Sequence, residues 1–166
     1  MKKNTKILII CLAVLLIAGI IIIVISNNKS YTNKYSSIEL YDAVLDSFST
    51  DDEMNVLDDD IILEFVEKDW PYLEDYIVAK DKNAKNINEI GIFKVQKGKA
   101  KDMKALVEEY VSNLQKSYRA MDYFPEEVAK IDCATVKIFG NYVVYSFLNE
   151  KDSEAFYNDI EDTLKE

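Results

Sequence analysis

Residues 7–25, ILIICLAVLLIAGIIIIVI, run for nineteen positions without a charge, an amide or a hydroxyl. A helix rises about 1.5 Å per residue, so such a run reaches roughly 28 Å, close to the roughly 30 Å hydrocarbon layer of a bilayer. A cleaved secretory signal has a shorter apolar stretch that ends in small residues, whereas this run ends Ile23-Val24-Ile25 and continues Ser26-Asn27-Asn28-Lys29 with no Ala-x-Ala. A lipoprotein signal would use Cys11, but Ile10 is bulky where a small side chain is required before the cut. The reading that follows is an uncleaved, single-pass transmembrane anchor over residues 7–25. Lys2, Lys3, Lys6 and the α-amino group precede it, and only Lys29 and Lys34 stand close behind. That bias puts residues 1–6 in the cytoplasm and the rest of the chain outside the cell membrane. Gly19 has no small partner at the right spacing, so the helix reads as an anchor with no specific dimerisation surface.

Everything acidic lies beyond the run. Without Lys2, Lys3 and Lys6, residues 26–166 hold 17 basic and 30 acidic side chains, a formal charge of −13. With Arg119 the one arginine, such a surface excludes nucleic acid as a partner. The chain has no histidine, which removes imidazole-activated nucleophiles and histidine-ligated metals. Its two cysteines are Cys11, inside the apolar run, and Cys133, so there is no CxxC pair and no disulfide framework. No cofactor is expected. Cys133, at a strand start, reads as a small buried apolar residue with nothing basic beside it to activate it.

Residues 26–37, SNNKSYTNKYSS, have the composition of a polar tether, and the folded part is expected over 38–166. Ile38, Tyr41, Val44, Leu45 and Phe48 recur at helical spacing, and IILEFVEK after Asp58-Asp59-Asp60 reads as a second short helix ended by Trp70-Pro71. Residues 72–79 and 89–95 read as strands. From Lys99, Met103, Leu106, Val107, Tyr110, Val111, Leu114, Tyr118 and Met121 fall on one face of a long helix. Pro125-Glu126-Glu127 opens a short helix to Ile131. Thr135–Phe139 and YVVYSFL flank Gly140-Asn141, a two-residue turn with glycine first, which pairs Phe139 with Tyr142, Ile138 with Val143 and Val136 with Tyr145. A last helix over 152–164 uses Phe156, Ile160 and Leu164, with Tyr157, to cap the core. The expected fold class is α+β: a small antiparallel sheet of about four strands with helices packed on one face.

Asn88-Glu89-Ile90-Gly91-Ile92-Phe93-Lys94, the long helix ending near Gln115, Tyr123-Phe124-Pro125-Glu126 and Phe139-Gly140-Asn141-Tyr142-Val143 together resemble the bacterial domain-of-unknown-function family 4358, over about residues 38–164. The resemblance implies a small envelope protein of mainly Gram-positive bacteria, serving cell-envelope or surface-polysaccharide machinery. It implies no catalytic residue, because no activity is established for the family. Relatives often carry a basic residue in the long helix just before the Gln, where this chain has Val111-Ser112-Asn113-Leu114.

Three constellations are candidates for chemistry. Asp51, Asp52, Asp58 and Asp60 supply the carboxylates a calcium ion wants, but without an EF-hand spacing; Asp58–Asp60 also suit the start of a helix. Glu89, Lys94 and Lys137 are candidates for a sheet-face pocket, against a simpler reading as outward charges on a sheet edge. Tyr123 and Tyr142, with Tyr118, Phe124 and Phe139, are candidates for a glycan- or peptide-binding surface, against a reading as core. The expected function is a membrane-anchored, extracytoplasmic, non-enzymatic binding or accessory module with an envelope protein or glycan as partner. The alternatives are a carboxylate-dependent hydrolase of envelope polymers and a calcium-stabilised surface domain. Nothing in the sequence sets an oligomeric state.

Overall fold

Strands with apolar side chains on both alternations must be covered on both faces. Tyr142–Phe147 is such a strand, and all six of its residues are buried. In the computed structural model, which describes residues 30–45, 54–57, 70–121 and 125–166, it lies near the middle of a five-stranded antiparallel sheet. The elements are α1 (Ser37–Val44), β1 (Met54–Val56), β2 (Leu73–Asp81), β3 (Glu89–Val95), α2 (Ala100–Arg119), α3 (Pro125–Cys133), β4 (Thr135–Phe139), β5 (Tyr142–Phe147) and α4 (Glu150–Leu164). Strand order is β1-β2-β3-β5-β4. Residues 7–25, the acidic groups at 51–53 and 58–60 and the helix expected over IILEFVEK fall outside the described residues. Among the described residues no helix is long and apolar enough to cross a membrane.

The class is α+β, with two corrections. The sheet has five strands, β1 being the addition, and helices cover both faces. Ile77, Ala79, Ile90, Ile92, Tyr142 and Val144 pack under α1 and α4. Val78, Phe93, Val95, Val143, Tyr145 and Phe147 pack under α2 and α3. The face that helices packed on one side would leave bare is therefore the floor of a second core: Phe139, Tyr142 and Val144 meet Phe156, Tyr157, Ile160 and Leu164 there. The expected register holds, with Phe139 opposite Tyr142, Ile138 opposite Val143 and Val136 opposite Tyr145. Gly140 takes φ +59°, as the first position of a primed turn requires.

Local chemistry accounts for the helices. Ser36 caps α1: its side chain accepts from the Glu39 N–H, while the Glu39 carboxylate accepts from the Ser36 N–H at 2.7 Å. Leu40, Tyr41 and Val44 face the sheet; Ile38 and Leu45, expected inside, are exposed because Leu40 rather than Ile38 holds the inward position. Met103, Val107, Val111 and Tyr118 bury the inner face of α2, which ends at Arg119, so Met121 is exposed rather than buried. Asn149 caps α4 by accepting from the Asp152 N–H at 2.9 Å.

The compact unit starts at Tyr31, ahead of the expected Ile38. The Thr32 N–H donates to the Leu164 carbonyl at 2.8 Å, and Tyr31 bridges to Lys165. The Tyr31 ring meets Phe139 edge-on at 6.0 Å and lies so close over Gly140 that a Cβ there would sit 2.9 Å from the Tyr31 Cβ. Residues 31–36 are thus a strap across one end of the sheet. At that same end, the turn into β2 holds Tyr72 at φ +75°, a left-handed conformation that costs a side chain of this size about 1–2 kcal/mol.

Candidate functional site

Alternation along β3 sends Ile90, Ile92 and Lys94 to the α1/α4 side and Glu89, Gly91, Phe93 and Val95 to the α2 side. Glu89 is accordingly buried, 2% exposed, on the sheet's central strand; the reading that made it an outward edge charge is corrected. Its carboxylate is shared between two phenols. The Tyr118 hydroxyl donates to Oε2 at 2.6 Å and the Tyr145 hydroxyl to Oε1 at 2.7 Å. Lys80, opposite Glu89 in the β2–β3 ladder, donates from Nζ to the Tyr118 hydroxyl at 3.0 Å and stands 3.6 Å from Glu89 Oε2. Lys80 is about a third exposed, so the cluster meets solvent through its cation while its anion is sealed.

Gly91 makes this geometry possible. It is the register partner of Tyr145, and a Cβ on it would lie 2.1 Å from Tyr145 Cε1. The absent side chain lets the Tyr145 ring lie across β3 and bring its hydroxyl to Glu89, two residues along the same face. Phe93 stacks on that ring at 6.0 Å, and Tyr110 meets it edge-on at 5.8 Å. Burial first, and then the Glu89 charge, push the Tyr110 and Tyr145 phenols far above their ordinary range. Both stay protonated at neutral pH, and Tyr145 remains a donor to a carboxylate that burial would otherwise penalise.

A second polar network adjoins the first along the chain. Asp81 accepts from the Asn83 N–H at 2.8 Å, from Asn86 Nδ2 at 3.1 Å and from Asn88 Nδ2 at 2.9 Å. Asn88 Oδ1 accepts from Lys130 Nζ at 2.7 Å, and Lys130 also donates to Glu127 at 2.6 Å. The other oxygen of Glu127 accepts from the Ile87 N–H at 2.7 Å. Glu127 and Lys130 are both well buried, and a buried ion pair offsets its desolvation only when its remaining lone pairs are used, as here. The network ties the β2–β3 loop to α3.

The sheet separates the residues that sequence reasoning grouped. Lys94 and Tyr142 lie on the other face from Glu89, where Lys94 Nζ and the Tyr142 hydroxyl both donate to the Tyr35 carbonyl, at 2.8 and 2.7 Å. Burial raises the Tyr142 phenol to about 12. Lys137 is exposed on that same side, its Nζ 4.1 Å from the centre of the Tyr157 ring. Tyr123 and Asp51, Asp52, Asp58 and Asp60 fall outside the described residues. Among the described residues no three His, Cys, Asp or Glu side chains gather closely enough to hold a metal. Lys80, Tyr145, Asp81, Glu127 and Lys130 were not singled out by sequence. The available signal was a Glu two residues before a Gly in a strand apolar on both alternations.

The profile of a family described as Domain of unknown function (DUF4358) matches residues 49–148. The chain belongs to this family. No curated protein and no solved structure matches it. The DUF4358 segment runs from just before β1 to just past β5, so it contains the whole sheet, α2, α3 and both polar networks. The strap, α1 and α4 lie outside it, yet they supply the cover for Ile77, Ile90, Ile92, Tyr142 and Val144. In this chain the DUF4358 segment depends on flanking helices to close one of its two cores.

Proposed function

We propose that the protein is a membrane-anchored, extracytoplasmic and non-enzymatic accessory module that engages an envelope partner close to the bilayer. The observation that carries this reading is the strap. The fold holds the chain from Tyr31 onward, and the apolar run ends at Ile25, so five residues, 26–30, remain between them. At about 3.3–3.6 Å per residue they extend no further than about 18 Å. A binding domain on so short a link works on what lies at the membrane surface. The second support is that the buried carboxylates Glu89, Asp81 and Glu127 are occupied by tyrosine, asparagine, lysine and backbone donors that hold the fold together. A hydrolase would need such acids turned toward a cleft.

A photoreactive residue at Ile38 on α1 or at Leu45 just past its end, both exposed apolar positions, tests the reading in living cells. Recovery of one membrane protein from both positions is the expected result. Recovery of glycan strands alone would replace the accessory reading with polymer binding or hydrolysis. Extraction of the protein by alkaline carbonate would remove the anchor.

A further inference from the structure

We propose that the end of the domain bearing the strap is a lipid-docking face, on which Lys97, Lys99, Lys101 and Lys34, with Tyr72 and Tyr35, bind the anionic headgroups of the bilayer. The proposal rests on the anchored reading above. Its own evidence is the distribution of charge and aromatic rings. In a chain segment at −13, residues 94–101, KVQKGKAK, hold four lysines and no acid. Lys97 and Lys101 are exposed and Lys99 is half-buried. Helix stability does not account for them, because cations in the first turn of α2 oppose the helix dipole.

The topology carries these lysines to the end where the chain joins the domain. The Val95 N–H donates to the Asn141 carbonyl and the Gln96 N–H to the Tyr72 carbonyl, each at 2.9 Å. Those bonds put the β3–α2 turn beside the β4–β5 turn and the start of β2. The strap crosses the same turns, with Tyr31 over Gly140 and the Tyr35 carbonyl held by Lys94 and Tyr142. Tyr31, the first residue of the folded unit, therefore stands at the end that displays the lysines. Acids share this end: Asp102 stands 3.3 Å from Lys99, Glu39 and Asp75 accept from the Ser36 and Ser37 N–H groups beside the strap, and on the far side Glu161 and Asp162 of α4 pair with Lys165. Lys97, Lys101 and Lys34 are thus the cations of the face for which no acidic partner is shown among the described residues.

The rings at this end match an interface as well as the charges do. Lys99 Nζ lies 4.3 Å from the centre of the Tyr72 ring and Lys34 Nζ 4.7 Å from that of Tyr35. Tyrosine with an apolar body and a polar tip, and lysine with a long stem and a charged head, are the side chains that settle at headgroup depth. Tyr72 is held there in a left-handed backbone conformation that glycine or asparagine would adopt more easily. Strain of this kind persists where the side chain has a use. Lysines near an anionic bilayer are attracted within about a Debye length, roughly 8–10 Å at ordinary ionic strength, and the short link brings the face within reach of that layer.

The test uses the full chain reconstituted in vesicles of phosphatidylcholine alone or with about one third phosphatidylglycerol. A water-soluble amine reagent labels lysines, and mass spectrometry reads the rate at each position. Lys97, Lys99 and Lys101 should react at least about threefold more slowly in the anionic vesicles, and high salt should restore the rates. Lys85 and Lys151, exposed at the opposite end, should react alike in both. In a Tyr72→Gly variant the three lysines should lose part of their protection while Lys85 and Lys151 keep their rates. Equal rates at the three lysines in the two vesicle types would overturn the docking face while leaving the anchor intact. Release of the chain from either vesicle by alkaline carbonate would overturn the anchored reading and the docking face with it.

Discussion

Replacing Gly91 with alanine tests the packing on which the Glu89 cluster depends. The new Cβ would lie 2.1 Å from Tyr145 Cε1 and 2.8 Å from its Cδ1 and Cζ. The ring has nowhere to go, because Phe93, Tyr110 and Phe147 surround it and Tyr145 is fully buried. Overpacking a close-packed core by one methyl costs about 1–3 kcal/mol. Displacing the ring also breaks the 2.7 Å bond from its hydroxyl to Glu89, and a buried bond to a charged group contributes about 1.5–3 kcal/mol. The sum, about 2.5–6 kcal/mol, is a large part of the roughly 5–15 kcal/mol that holds a domain folded. The assay is urea unfolding of the full chain in mild detergent, followed by the fluorescence of Trp70. That residue is the single tryptophan and lies 5.3 Å from Phe93 in the same core. Gly91→Ala combined with Tyr145→Val should cost much less than the two changes added separately, since valine leaves room for the new methyl. A loss below about 0.5 kcal/mol for Gly91→Ala, or strict additivity in the pair, would refute the proposed contact.

Other consequences follow from the same geometry. Glu89→Ala leaves two buried phenols without their acceptor and should cost about 2–4 kcal/mol, whereas Glu89→Gln keeps an acceptor and should cost about 1–2, both read by urea midpoint. Ser37 Oγ is buried without a hydrogen-bond partner, so Ser37→Ala should be neutral or raise stability by up to about 1 kcal/mol in the same assay. Tyr142 is held neutral to about pH 12 in the fold but ionises near 10 once unfolded. Its contribution is therefore full below about pH 10 and is lost as the pH rises to about 12; in Tyr142→Phe the tyrosinate absorbance should lose one equivalent from the step near 12. Ending the chain at Leu148 removes Phe156, Tyr157, Ile160 and Leu164 from the second core, and the product should bind a hydrophobic dye and unfold without a cooperative step.

What the sequence revealed and what it concealed follow from the range of the forces involved. The β4–β5 hairpin is legible in register because a two-residue turn leaves no freedom in which residues oppose each other. The inner face of α2 is legible because Met103, Val107, Val111 and Tyr118 repeat at helical spacing. The second helical layer is written in β3 and β5, which are apolar on both alternations, but the alternation of β4, with Thr135 and Lys137 outward, points to a wet face and hides it. The same limit hid the Glu89 cluster. Its acceptor stands on β3 and its donors on α2 and β5, and what unites them is a close approach at Gly91 that only the packed sheet creates. Residues 31–36 read as tether because Asn, Ser and Thr dominate their neighbourhood, yet their backbone and two tyrosines are what the fold grips.

The central claim is a domain held outside the cell by residues 7–25. The most direct measurement is the labelling of a cysteine introduced at Lys85, in the exposed β2–β3 loop, by a membrane-impermeant maleimide added to intact cells. The expected result is equal labelling before and after the cells are opened, on a protein that alkaline carbonate leaves in the membrane. Labelling that appears only after lysis would contradict it.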